Sequence, residues 1–129
     1  MYLSMNKIQI GKIGENHAEQ FLSSQFYEII AKNFYCRYGE IDLIAVDFLN
    51  SRELVFVEVK TRTGDEFGEP EESVHYKKRQ HILKTALHFI NASMRKAPRS
   101  WRVDVIAVKL DSRNRLKEIR HLKNIFNGS

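Results

Sequence analysis

The stretch GEIDLIAVDFLNSRELVFVEVKTR, residues 39–62, constrains the fold more than any other part of the chain. Two runs rich in β-branched and aromatic residues flank a polar centre, the pattern of a hairpin. Folded about Asn50, Val46 meets Leu54, Ile44 meets Phe56, Asp42 meets Glu58 and Glu40 meets Lys60. Residues two apart share a face of a strand, so all of these side chains lie on one side of the pair. The other side carries Ile41, Leu43, Ala45, Val55, Val57 and Val59. Both faces are largely apolar, as in central strands covered on two sides. A chain built around such a hairpin needs cover above and below it.

The rest of the sequence supplies that cover. Ile10 to about Gln25 reads as an amphipathic helix, with Ile10, Ile13, Ala18, Phe21 and Leu22 on one side. Tyr27–Phe34, Glu40–Asp47 and Glu53–Thr61 read as strands, the first two joined by a turn at Arg37-Tyr38-Gly39. The segment from Gly64 to Pro70 is a loop by composition. From Ser73 to Arg95 the period returns to helical, with Ile82, Leu83, Ala86, Leu87, Phe89, Ile90 and Met94 on one broad face. Trp101–Leu110 and Leu116–Lys123 are two more strands around Asp111–Arg115. The expected order is α-β-β-β-α-β-β, an α/β domain with a mixed five-stranded sheet flanked by helices. With no repeat, linker or biased segment, residues 1–129 read as a single domain.

One end of the hairpin breaks the apolar pattern with Glu40, Asp42, Glu58 and Lys60. Directly opposed carboxylates repel, and a divalent cation is one reason to place them together. Hard oxygen ligands suit Mg²⁺ or Mn²⁺, and Lys60 would point toward the same spot. A register shifted by two residues would instead put Asp42 opposite Lys60 as a salt bridge, so spacing alone leaves both arrangements open.

Charge divides the chain. The net charge is +5, yet residues 1–76 carry 7 Lys/Arg against 13 Asp/Glu, while residues 77–129 carry 14 against 3. A basic half of this strength points to a polyanionic partner, nucleic acid first. On the second helix Lys77, His81, Lys84, His88 and Arg95 form a basic stripe away from the apolar arc, with a solvated helix face as the ordinary alternative. Lys78 and Arg79 project to the edge and inside of that arc. Tyr35, Tyr38, Phe67 and Trp101 could stack on bases or belong to the core. Arg102 and Asp104 alternate on one strand face and read as a structural ion pair. The acidic loop Asp65–Glu72 reads as solvated charge or as a gate against duplex. A lone cysteine, Cys36, excludes an intrachain disulfide and a cysteine-rich zinc site. No apolar run approaches the ~20 residues of a membrane span. The N-terminal segment lacks an apolar signal region, so a cytoplasmic protein without a membrane partner is expected.

Several motifs in order carry a resemblance: Gly11-x-x-Gly14-Glu15-x-x-Ala18, Gly39-Glu40-Ile41-Asp42-Leu43-Ile44, Phe56-Val57-Glu58-Val59-Lys60-Thr61-Arg62 and Arg102-Val103-Asp104-Val105. Together they resemble the YraN family of small bacterial proteins. More broadly they resemble the PD-(D/E)-x-K nuclease superfamily in its Holliday-junction-resolvase branch, with Ile41-Asp42 where the superfamily has Pro-Asp. The resemblance implies a restriction-endonuclease-like αβββαβ core and DNA as the nucleic acid, branched or flapped DNA included. It implies Asp42 and Glu58 as ligands of Mg²⁺ or Mn²⁺ with the Val59 carbonyl, Lys60 beside the attacking water or the phosphate, and Glu15 reaching in from the first helix. Lys78 is the basic residue of the second helix that approaches the centre. The nucleic-acid-binding set is Arg62, Lys77, Lys78, Arg79, His81 and Lys84. Junction resolvases of this superfamily commonly dimerise, and the sequence leaves a homodimer open. The competing readings are a non-catalytic nucleic-acid-binding module that keeps the fold, and a protein-interaction adaptor.

Overall fold

A computed structural model describes residues 5–64 and 76–126. Its first helix, α1 (Lys7–Ser24), starts three residues before the expected Ile10 because Asn6 caps it. The Asn6 side chain accepts from Gln9 N at 2.8 Å and the Gln9 side chain accepts from Asn6 N at 2.9 Å, a reciprocal capping box. Strands β1 (Tyr27–Cys36), β2 (Gly39–Asp47) and β3 (Glu53–Thr63) follow, then helix α2 (Tyr76–Ser93), then β4 (Trp101–Leu110) and β5 (Leu116–Phe126). Helix α2 stops at Ser93, so Arg95 stands beyond it rather than on its stripe. The loop composition at residues 65–70, the acidic segment 65–72, Phe67 and the expected helix start at Ser73 lie outside the described residues.

The five strands lie side by side in chain order. β1, β2 and β3 are antiparallel neighbours, β3 and β4 are parallel, and β4 and β5 are antiparallel. This is the expected α/β architecture with a mixed sheet. The parallel β3–β4 pair requires a crossover, and α2 lies within it. The β2–β3 ladder runs from Asp47↔Glu53 through Val46↔Leu54 and Ile44↔Phe56 to Leu43↔Val57, the register centred on Asn50. It excludes the shifted register that would oppose Asp42 and Lys60.

Each helix covers one face. Ala18 and Leu22 of α1 pack with Leu43, Ala45, Val55, Val57, Ile106 and Val108. Ile82, Ala86, Phe89 and Ile90 of α2 pack with Ile44, Leu54, Phe56 and Val103. Two expected core positions differ. Ile41 joins the α2 cluster instead of the side of Leu43 and Ala45. Strict alternation breaks at Asp42, between the Lys32↔Leu43 and Phe34↔Ile41 pairs, where the intervening Asn33 has a φ of 51°. Leu87, expected on the buried face of α2, is 48 % exposed.

Gly14 sets how closely α1 approaches the sheet. A Cβ there would stand 2.9 Å from both Cβ and Cγ2 of Thr61 on β3, whereas Gly11, one turn earlier, has nothing within 4 Å. At the hairpin end of the sheet, Arg102 holds buried charge together. Its Nε meets Asp104 at 3.0 Å, Nη1 meets Glu53 at 2.7 Å and Asp47 at 3.2 Å, and Nη2 meets the Tyr27 hydroxyl at 2.7 Å. The pair read from the sequence is thus one link of a larger network. Burial pushes the Asp104 carboxyl up, but His121, Arg102 and the Asn124 N–H outweigh it and hold the group below the usual carboxylate range. No helix among the described residues is long and apolar enough to cross a membrane.

Two outcomes follow for stability. Gly14→Ala should destabilise by ~1–3 kcal/mol through overpacking, while Gly11→Ala should be neutral or stabilise by up to ~1 kcal/mol. Urea denaturation of the two variants should therefore move in opposite directions. In the same assay Arg102→Ala should cost ~3–5 kcal/mol, because it strands buried carboxylates without their counter-charge.

Candidate active site

The site forms where the β2–β3 ladder ends. Beyond Leu43↔Val57, Asp42 and Glu58 do not continue as a paired rung. The Val59 N–H donates instead to Asp42 Oδ2 at 2.7 Å. This side-chain acceptor satisfies a main-chain donor that an antiparallel rung would otherwise have used. It also holds the Asp42 carboxylate against β3.

Glu58, 8 % exposed, follows the buried run Leu54–Val57. Its Oε1 meets Lys78 Nζ at 2.7 Å and Lys60 Nζ at 3.5 Å. Lys78 comes from the first turn of α2, which begins at Tyr76, so the crossover brings a cation back over the end of β3. One oxygen on each carboxylate, Asp42 Oδ1 and Glu58 Oε2, stands outside these contacts.

The charges are poorly compensated. Burial, and then repulsion from Glu58, push the Asp42 carboxyl up to about 7, with Glu15 and Glu40 adding to the rise and the Val59 N–H opposing it. Glu15 on α1 is raised by burial and by Glu40 and Glu58, against Lys12 and a hydrogen bond with Asn33. Lys60 is lowered by burial and by neighbouring Lys78, with Glu58 opposing. Burial also disfavours the charged form of Lys78, but its contacts with Glu58 and Lys60 outweigh this and leave it raised.

The carboxylates and lysines divide between two clefts. A cavity of about 350 Å³ on the α2 side is lined by Asp42, Glu58, Lys78 and His81. One of about 390 Å³ on the α1 side is lined by Glu15, Val59, Lys60 and Arg62. The single face expected for Glu58 and Lys60 therefore borders two clefts, with Lys60 still 3.5 Å from Glu58. Lys77, Arg79 and Lys84 are exposed on α2 and line neither cleft. Asn33 was not among the residues singled out in the sequence, although it acts to lower the Glu15 carboxyl. An Asn within a strand-rich run, where Asn is depleted, is the signal that marks it.

Among the described residues no three His, Cys, Asp or Glu side chains group as a metal cage. Two carboxylates with a main-chain carbonyl make a smaller donor set. Its hard oxygens, and the unrelieved negative charge that raises Asp42, suit a small divalent cation. A larger cavity, about 650 Å³, lies at the opposite end of the strands, around Tyr27, Asp47, Glu53, Arg102 and His121. There the guanidinium is already engaged through Nε, Nη1 and Nη2, so that region is a structural knot.

Fold and cleft together define an α/β domain that gathers two carboxylates and two lysines at one end of a mixed sheet. The chain belongs to the uncharacterised protein family UPF0102, whose pattern matches residues 14–108. The resemblance to YraN-type proteins is borne out at this family level. A UPF0102 protein of Caldicellulosiruptor bescii is 43% identical over 122 residues, covering 95% of this chain and 100% of that one. Another, from Caldanaerobacter subterraneus, is 44% identical over 123 residues, covering 95% and 98%. Among solved structures, a repair endonuclease from Pyrococcus abyssi matches with a TM-score of 0.41 and 14% identity, over 84% of this chain and 41% of that chain.

The raised Asp42 carboxyl has a measurable consequence. Its folded value of about 7 lies above the ordinary ~3.9, so the native state favours the protonated form. Ionisation then costs stability that is absent below about pH 4, accumulates up to about pH 7 and is constant above. In metal-free buffer, Asp42→Asn should melt higher than wild type at about pH 8. That advantage should shrink steadily toward about pH 4 in thermal denaturation followed by circular dichroism.

Proposed function

We propose that this protein is a metal-dependent endonuclease that hydrolyses DNA phosphodiester bonds, with Asp42, Glu58 and Lys60 at its catalytic centre. The observation that carries this reading is the Asp42–Glu58 pair, with Glu58 buried and Asp42 half-buried, in which Asp42 is pushed up to about 7 and each carboxylate keeps one oxygen outside the contacts among the described residues. A structural ion pair would be closed on itself, as the Arg102 network is. When bound, Mg²⁺ or Mn²⁺ supplies Lewis acidity and an in-line template for attack on phosphorus.

Asp42 and Glu58 would hold that ion with the Val59 carbonyl. The Val59 N–H fixes the orientation of Asp42, and Lys78 fixes Glu58. Lys60, less tightly protonated than an exposed lysine, stands 3.5 Å from Glu58 and can orient water or balance charge on the phosphate. Glu15 approaches from α1 and takes part in the same electrostatic group. Arg62 on the α1 side, and Lys77, Arg79, His81 and Lys84 along α2, supply phosphate contacts.

The test is a cleavage panel on labelled single-strand, duplex, flap and four-way-junction DNA with Mg²⁺, Mn²⁺ or EDTA. Products should require the metal, and Glu58→Ala and Lys60→Ala should each reduce the rate by ~10²–10³ while retaining the native circular dichroism spectrum. Cleavage that survives both substitutions would remove this site assignment. Salt-sensitive binding with no cleavage in any arm would leave a non-catalytic binding module.

A further inference from the structure

The turn between β1 and β2 is pressed against α2. Gly39 has a φ of 150°, and a Cβ there would lie 3.3 Å from Thr85 Oγ1 and 3.4 Å from the His81 Cβ. The buried Thr85 hydroxyl is itself tied to the His81 carbonyl at 2.7 Å. The Tyr38 ring stands 6.0 Å from the His88 ring at 64°, and the Phe34 ring stands 6.4 Å from the same histidine. Arg37 lies 4.8 Å from the Tyr38 ring centroid and donates to its hydroxyl at 2.6 Å. The Tyr38 ring is thus held in place by its neighbours.

Beside it opens a cavity of about 600 Å³, lined by Tyr38, Lys84, Leu87, His88, Asn91 and Ala92. Among the described residues its lining contains no carboxylate, and Leu87 is 48 % exposed within it. The cavity neighbours the proposed catalytic cleft, since Gly39 and His81 line that cleft while Tyr38, next to Gly39, and Lys84, one turn beyond His81, line the cavity. From His81 to His88 the helix advances ~10 Å, a span of a few nucleotides.

We propose that this cavity receives an unpaired base of the DNA strand being cut, so that the substrate class is DNA with single-stranded character beside the scissile bond. The proposal rests on the DNA reading given above. Tyr38 and His88 offer aromatic surfaces for stacking, Leu87 an apolar wall, and the Asn91 amide a donor and acceptor for a base edge. Lys84 stands where the attached phosphate would pass. A base held in duplex stacking cannot enter such a cavity, and a lining without acids among the described residues suits a polyanion.

The experiment is fluorescence anisotropy of the full-length protein with labelled single-strand, flap and blunt-duplex DNA in Ca²⁺ or EDTA. An abasic-site single strand is added as a further probe, with a salt series for each. Wild type should prefer the flap and single strand over duplex. Tyr38→Ala should weaken single-strand binding roughly ten-fold and leave duplex binding unchanged, and Tyr38→Phe should restore it. Leu87→Glu, at an exposed position, should abolish the preference too and serves if Tyr38→Ala does not fold. Equal losses on single strand and duplex, or an abasic strand that binds as tightly as an intact one, would overturn the cavity assignment while the DNA reading stands. No binding to any DNA at low salt would overturn both.

Discussion

The hydrogen bond from Val59 N–H to Asp42 Oδ2 joins the sheet to the candidate site. Up to Leu43↔Val57 the hairpin behaves as any buried antiparallel pair, main chain against main chain. At the next position a side chain serves as acceptor, and two consequences follow. The donor remains satisfied although the ladder has ended, and a carboxylate is held in surroundings that do not favour its charge. The sheet could have ended in a rung with no carboxylate buried at all. That it ends this way is what gives the region its chemistry.

Two charged clusters stand at opposite ends of the same strands, and their contrast is informative. Around Arg102, each carboxylate is met by a guanidinium, ring or amide hydrogen, and Asp104 is held below its ordinary range. Around Glu58, two lysines share one oxygen, Asp42 is pushed up, and Lys60 is lowered. The first cluster is complete within the chain and ties β1, β2, β3 and β4 together. The second leaves Asp42 raised by burial and by Glu58, and it is this contrast on which the proposed function rests. Both depend on the same apolar layers, α1 on one face and α2 on the other, to exclude water from their inner edges.

Much of the fold could be read from residue patterns because burial on two faces writes itself into a hairpin. The order of elements and the identities of the carboxylates follow from alternation and from where it fails. Reading was weaker where packing overrides period. Ile41 changes sides where the pairing skips from Lys32↔Leu43 to Phe34↔Ile41 beside Asn33 at a φ of 51°, a departure from alternation that the β2 residues themselves do not signal. Leu87 lies at a helical position that should be core, yet α2 rolls it outward beside Tyr38. Asn33 went unnoticed because Glu15, whose carboxyl it helps to lower, is distant in sequence and comes near it only through the packing of α1 on the sheet.

The sequence by itself determined the class of fold and the carboxylates at the end of the central hairpin, since each depends on local periodicity, while a register shifted by two residues stayed open until the Leu43↔Val57 ladder excluded it. Tertiary structure alone decided that Lys78 reaches Glu58, that the site opens on both sides of the sheet, and that the β1–β2 turn forms a cavity with α2. These depend on how elements far apart in the chain approach one another. That approach is set by small contacts, such as Gly14 on Thr61 and Gly39 on Thr85, where the lack of a side chain fixes a distance. Periodicity records which face of an element is buried, but it does not record what the opposing element places against it.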